Sequence, residues 1–241
     1  LPITHERGYL IPAIGNDYVC CAKRLRDSIL AWNPQAHITI LTEQMLPYGN
    51  QGGWANDWQC FAASPYRQTI KLEADMLCTS PFDHWWTLFE NRDVVISQGA
   101  RNFYNQPATS RHYRKVFDLN NLPDVYNAIT YWRVSKTAQE FFQMVRLIFE
   151  QWDKFKTLLK FTDDSPSTDL VYAMVANILG PETVTLPENL GPQIVHMKQH
   201  MIGTQTKNWT QELVWEHINP GLRINTVSQH GMVHYYIKDW Q

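Results

Sequence analysis

The stretch Arg7 to Ile14 (RGYLIPAI) is almost wholly apolar and ends at the turn signal Gly15-Asn16-Asp17, which predicts a buried first strand. Beyond the turn the period lengthens. Val19, Ala22, Leu25, Ile29 and Trp32 fall on one helical face, Lys23, Arg24 and Asp27 fall off it, and Asn33-Pro34 stops the run. His37 to Leu41 (HITIL) then predicts a second strand. Strand, helix and strand, joined by a crossover of helix length, open a parallel sheet covered by helices.

Two more strands are predicted at Thr69–Leu72 (TIKL) and Val94–Ser97 (VVIS), the first running straight into Glu73-Ala74-Asp75. Open parallel sheets bind ligands just past the carboxyl ends of their strands, where both Asn16-Asp17 and Glu73/Asp75 fall, so the two pairs point to one cleft. From Gly99 to Pro123 the chain is polar and aromatic without a clean period, an irregular excursion over the sheet that carries Arg101, Arg111, Arg114 and Lys115. Thr137 and Glu140 have the spacing of a capping box, and Ala138, Phe141, Phe142, Val145, Ile148, Phe149 and Trp152 continue it as an apolar helical face. A second helix is predicted from Thr168-Asp169 to the stop signal Gly180-Pro181. Val184–Leu186, Gln193–Met197 and Gly231–Ile237 are candidate strands.

With 241 residues, no internal repeat and no linker rich in Gly or Ser, a single domain is expected. Twenty-one Lys and Arg against 23 Asp and Glu leave a formal charge of −2, which excludes the overall basic field of most nucleic-acid binders but not a local basic groove. Cys20, Cys21, Cys60 and Cys78 form neither a CxxC pair nor a regular framework, and read as reduced core residues, not as a zinc site. The longest apolar run, Leu170 to Leu179, carries Asn177 and is too short to span a bilayer; with no apolar leader, the expected location is the cytoplasm. Gly-x-Gly-x-x-Gly after the first strand, a Walker-type Gly-Lys-Ser/Thr, Gly-x-Ser-x-Gly and His-Glu-x-x-His are all missing, so the dinucleotide oxidoreductase, NTPase, hydrolase and zincin readings lose their main support.

Two carboxylates one residue apart at the end of a strand, Glu73 and Asp75, can converge on one hard cation that keeps open positions for a diphosphate. The surrounding stretch Ser64 to Leu77, SPYRQTIKLEADML, resembles the metal-binding strand of nucleotide-sugar glycosyltransferases of GT-A fold. It is closest to the glycogenin and bacterial galactosyltransferase (family 8-like) group, including its phage-encoded members, with Glu73 standing where that pattern has Asp. The resemblance implies donor contacts from Arg67, Glu73, Ala74 and Asp75, and a divalent cation, Mn2+ or Mg2+, on Glu73 and Asp75.

Three further stretches are similar to that group in the same order. Asn16-Asp17-Tyr18 matches the turn that holds the uridine, with Tyr18 either stacking on uracil or capping the helix. Tyr126-Asn127-Ala128 matches a strand near the donor sugar and makes Asn127 a donor contact. Asp169 matches an acid that positions the sugar or acceptor; its alternative role is to sit in the first turn of a helix, where the dipole favours a carboxylate. The group also supplies a metal-binding His on a late strand followed by a Lys that meets the diphosphate. QIVHMK (His196, Lys198) fits the order of elements and VHYYIKDW (His234, Lys238, Trp240) fits letter by letter; the order of elements favours His196.

The implied architecture is an α/β fold of GT-A type, Rossmann-like with a mostly parallel central sheet flanked by helices. Residues 1–198 form the transferase domain and 199–241 a C-terminal extension packed on it. The implied activity is metal-dependent transfer of a hexose or pentose from a nucleotide-diphosphate sugar, UDP-linked, to an acceptor hydroxyl, with Asp169 and Lys198 as catalytic residues. By resemblance to phage enzymes the acceptor includes hydroxymethylated cytosine in DNA. The competing readings are a transferase acting on a saccharide or protein hydroxyl, and a non-catalytic sugar-binding module that uses its 10 Trp to stack on sugar rings.

Overall fold

The computed structural model of the protein describes residues 2–107, 115–162, 164–187, 190–192 and 194–238. The chain opens with β1 (His5–Ala13), α1 (Asn16–Trp32) and β2 (Ile38–Thr42), the predicted parallel unit, in which Tyr9 to Ala13 pair with Ile38 to Thr42. After α2 (Cys60–Ala63) come β3 (Tyr66–Leu72), β4 (Met76–Cys78), α3 (His84–Phe89) and β5 (Val94–Gln98). Then follow α4 (Lys115–Leu119), β6 (Val125–Arg133), α5 (Lys136–Glu150), α6 (Trp152–Leu159), α7 (Thr168–Leu179) and α8 (Pro181–Val184). The remainder adds β7 (Ile194–His196), α9 (Gln199–Ile202), the meander β8 (Trp215–Ile218), β9 (Gly221–Ile224) and β10 (Val227–Ser228), and finally β11 (Met232–His234).

The central sheet has the order β2-β1-β3-β6-β5, and only β6 runs against the others. Successive side chains on a strand point to opposite faces, and the two faces fill two cores. Tyr9, Ile11 and Ala13 of β1 with Ile70 and Leu72 of β3 pack towards α1 and the small sheet β4-β11-β7. Leu10, Val94, Ile96 and Trp132 pack with the apolar faces of α5 and α7 on the other side. Lys71, between Ile70 and Leu72, therefore points into the second layer, and only 1% of it is exposed.

The local expectations hold with three corrections. Helix α5 is capped by Ser135, whose extended backbone lets its hydroxyl accept the Ala138 N–H at 3.2 Å, two residues before the predicted Thr137 box. Val184–Leu186 is not a strand. Gly180, at φ 90°, and Pro181 at a helix start open the short turn α8, leaving only Thr185 to bridge Ile96. Cys20 lies exposed on the outer side of α1, while Cys21, Cys60 and Cys78 are buried and all four are free. The excursion after Gly99 holds α4 and a bridge from Arg101 to Val195; Arg111 and Arg114, like Trp240 and Gln193, lie outside the described residues. Among the described residues no helix is long and apolar enough to cross a membrane.

Candidate active site

Strand β3 ends where the Glu73 N–H reaches across to the Ala128 carbonyl at 3.1 Å, and the chain resumes extended structure at Met76. The step in between brings Glu73 and Asp75 to the edge of the small sheet. There β11 runs antiparallel to β4, with His234 opposite Met76 and the Tyr235 N–H donating to the Asp75 carbonyl at 3.1 Å. This register delivers His234 Nε2 to 3.0 Å from Asp75 Oδ1 and 3.3 Å from Glu73 Oε2. One ligand atom from each of the three residues lies within 4.8 Å of the others.

His196 is the in-register parallel neighbour of His234, and the two rings are 5.4 Å apart on the same face. Its Nδ1 is hydrogen-bonded to the Tyr236 hydroxyl and not to an acid. The preference for His196 as partner of the acids is thereby corrected, because β11 is inserted between β4 and β7 and takes the place beside Asp75. Tyr236 stacks on His234 with ring centroids 3.8 Å apart, from a backbone at φ 63°. A bulky residue in the left-handed region is strained, and such strain is kept where surrounding structure fixes a functional geometry.

Burial raises the Glu73 carboxyl above the ordinary glutamate range, and the neighbouring Asp75 and Asp169 charges add to this against the opposing attraction of His234. Burial would raise Asp75 as well, but the charge and hydrogen bond of His234 outweigh it and hold that carboxyl low. His234 is the counterpart: burial works against its protonation, yet Asp75 and Glu73 together raise its pKa. The mutual attraction of His234 and Asp75 thus favours the charged form of each, while burial disfavours the charged form of Glu73.

Glu73, Ala74, Asp75 and His234 line a cavity of about 930 Å³ together with Tyr18, Asp169, His196, Lys198 and Tyr236. Asp57, Lys71, Tyr126 and Trp54 line it too; Lys71 and Tyr126 lie within the stretches that carry the resemblance without a role of their own there, and Asp57 and Trp54 sit in no recognisable motif. Of the other anticipated donor residues, Asn16 and Asp17 begin α1 exposed at the carboxyl end of β1. Lys238 lies over the Tyr18 ring at 4.1 Å, so one face of that ring is covered. Asn127 is buried behind the wall, where its backbone N–H donates to Asp169 Oδ1 at 2.7 Å. Arg67 is corrected outright. It lies at the opposite end of β3, roughly 20 Å along the strand from Glu73, paired with Glu6 at 3.2 Å.

Two carboxylates and one imidazole suit a divalent cation of the manganese or magnesium class, the oxygens matching either ion and the nitrogen favouring manganese. His234 Nδ1 is buried with no hydrogen-bond partner, so the polar contacts of the ring are all made by Nε2, the atom turned to the acids.

No protein-family model and no curated protein matches the sequence. Solved structures do. The glycosyltransferase GlyE of Streptococcus pneumoniae TIGR4 superposes with a TM-score of 0.52 at 11% identity, over 98% of this chain and 57% of that one. A glycosyltransferase involved in glycosylation of the major capsid of PBCV-1 gives 0.48 at 11% identity, over 95% and 94% of the two chains. Mouse xyloside xylosyltransferase 1 gives 0.45 at 10%, over 76% and 84%. The fold is of the GT-A glycosyltransferase type, and this chain spans a little over half the length of GlyE.

Proposed function

We propose that this protein is a metal-dependent glycosyltransferase that takes a sugar from a UDP-linked donor and passes it to an acceptor hydroxyl. The observation that carries the reading is the convergence of Glu73, Asp75 and His234 at one point of a cavity past the carboxyl end of β3. These three residues would hold Mn2+ or Mg2+. Bound there, the ion supplies Lewis-acid stabilisation of the leaving diphosphate as the sugar carbon gains oxocarbenium character.

The chain's own residues supply the rest. Lys198 lines the cavity and Lys238 stands over Tyr18, itself a lining residue; in this reading their ammonium groups meet diphosphate oxygens. Asp169, on the first turn of α7, is fixed by the Asn127 N–H and orients sugar or acceptor hydroxyls. The other face of Tyr18 offers uracil a stacking surface, with Asn16 and Asp17 preceding it in the first turn of α1. Tyr18→Ala should therefore raise the donor KM several-fold with a smaller effect on kcat, because stacking is equal in the ground and transition states. Steady-state kinetics checks this, and loss of folding would instead make Tyr18 a core residue.

Donor hydrolysis is the direct test: manganese-dependent release of sugar from UDP-sugars is expected, and a sugar-binding module would release none. The acceptor implied by the resemblance, hydroxymethylated cytosine in DNA, would call on basic side chains such as Arg101 and Lys115. Transfer to DNA should then fall steeply between low and physiological salt while donor hydrolysis is unchanged. Salt-independent transfer would give the acceptor role to a saccharide or protein hydroxyl.

A further inference from the structure

From the cavity wall, where Asp57 and Lys71 lie, a polar cluster that the proposed reaction leaves without a role runs back to buried Asn127 and Tyr172. Lys71 donates to Asp57 Oδ1 at 2.6 Å and to Asn127 Oδ1 at 2.8 Å. The other Asp57 oxygen accepts the Tyr172 hydroxyl, and the Lys71 ammonium lies 5.5 Å from the Tyr172 ring. Thr130 donates to the same Asn127 oxygen at 2.9 Å. The Asn127 backbone N–H in turn holds Asp169. The cluster thus joins the segment before α2, strand β3, strand β6 and helix α7 through side chains alone.

An ammonium with 1% exposure is costly to bury and persists only when its partners are well placed. Here the partners lead to one catalytic carboxylate. Strand β6 is irregular at this point, since its register with β5 slips between Ile96 and Ser97, so the ladder alone does not fix the backbone around Tyr126 and Asn127. Burial keeps the Tyr172 hydroxyl protonated, which makes it a donor to Asp57 at all ordinary pH values.

We propose that Lys71, braced by Asp57 and Tyr172, is a positioning residue that clamps Asn127 and so aims Asp169 into the cavity. It acts through Asp169, beside the metal-binding trio. The inference rests on the transferase reading for its kinetic consequence, whereas the clamp itself is a property of the fold.

The test uses the full chain with Lys71→Met, Lys71→Arg and the double variant Lys71→Met/Asp57→Asn, which removes the carboxylate that the first leaves buried without its cation. Three quantities are read: manganese affinity by calorimetry, kcat and KM for UDP-sugar hydrolysis, and hydrogen exchange of the Asn127 amide by NMR. Lys71→Met and the double variant should lower kcat by about 10- to 100-fold, the scale set by misplacing a reacting group. KM should change less, manganese affinity should stay within about twofold, and Lys71→Arg should recover part of kcat, since its charge is kept but its shape is not. The Asn127 amide should exchange faster in Lys71→Met and in Asp169→Ala. Unchanged kcat, an unchanged Asn127 amide, or manganese affinity lost together with kcat would each overturn the proposal. If the unaltered protein hydrolyses no nucleotide sugar, the transferase reading fails, and the amide exchange still decides whether the clamp exists.

Discussion

Asp75→Ala is expected to abolish manganese-dependent donor hydrolysis and to weaken manganese binding by about 100-fold or more, the upper end of what perturbing a metal site produces. Asp75 supplies both a ligand oxygen and the 3.0 Å contact that aims His234 Nε2. The variant should stay folded. The carboxylate lies in the step between β3 and β4 and lines the cavity, and without it His234 keeps Glu73 as a partner at 3.3 Å. His234→Ala should lose as much affinity as Asp75→Ala, and His196→Ala no more than about threefold, because its Nδ1 is engaged by Tyr236 and not by an acid. Calorimetric titration with manganese checks the series; normal binding by Asp75→Ala would remove the cation from this trio.

Metal affinity should also climb with pH, by about tenfold per unit until the His234 proton is gone and then level off, since one proton must leave for the cation to bind. Asp75 and Glu73 raise the His234 pKa, so the climb extends above the ordinary histidine range. Stability without metal runs the other way. An unfolded His234 titrates near 6.5 and the folded one higher, so its pairing contributes fully below 6.5 and is lost as pH rises through the folded value. Asp75, held low, contributes above its unfolded pKa and loses that contribution as pH falls through the folded one. Melting curves from pH 5 to 9 with EDTA should therefore decline on the alkaline side, where curves with manganese gain. Parallel curves, or a decline that survives His234→Gln, would count against this assignment.

The regular part of the fold was legible because it obeys short periods. The β1-α1-β2 unit, α5 and α7 announce themselves through apolar spacing within one or two turns, and Glu73 and Asp75 stand at a strand end that the pattern locates. What lay beyond reach depends on strand order. His196 and His234 each stand in an apolar strand with a lysine following, and the letters around them point to His234 while the order of elements points to His196. Only the insertion of β11 between β4 and β7 decides which of them meets an acid, and no periodicity encodes it. Lys71 was hidden for a related reason. A lysine within TIKL reads as an interruption of a buried strand until Asp57 and Asn127, 14 and 56 residues away, are brought to it. Arg67 erred oppositely: it belongs to the motif in sequence, but an extended strand carries it to the far end of the sheet.

The insertion of β11 has a consequence for how the protein comes into being. His234 and Asp75 are 159 residues apart, whereas the pairings β1 with β2 and β5 with β6 close over short spans. Contacts of large sequence separation are the slow ones to form, since loop closure must precede any gain from the contact. Chains that have built the central sheet but not yet seated β11 would contain the acids and lack the histidine, and so would be chemically silent towards a nucleotide sugar. If the trio holds manganese as proposed, tight capture of the ion would report that β11 is seated.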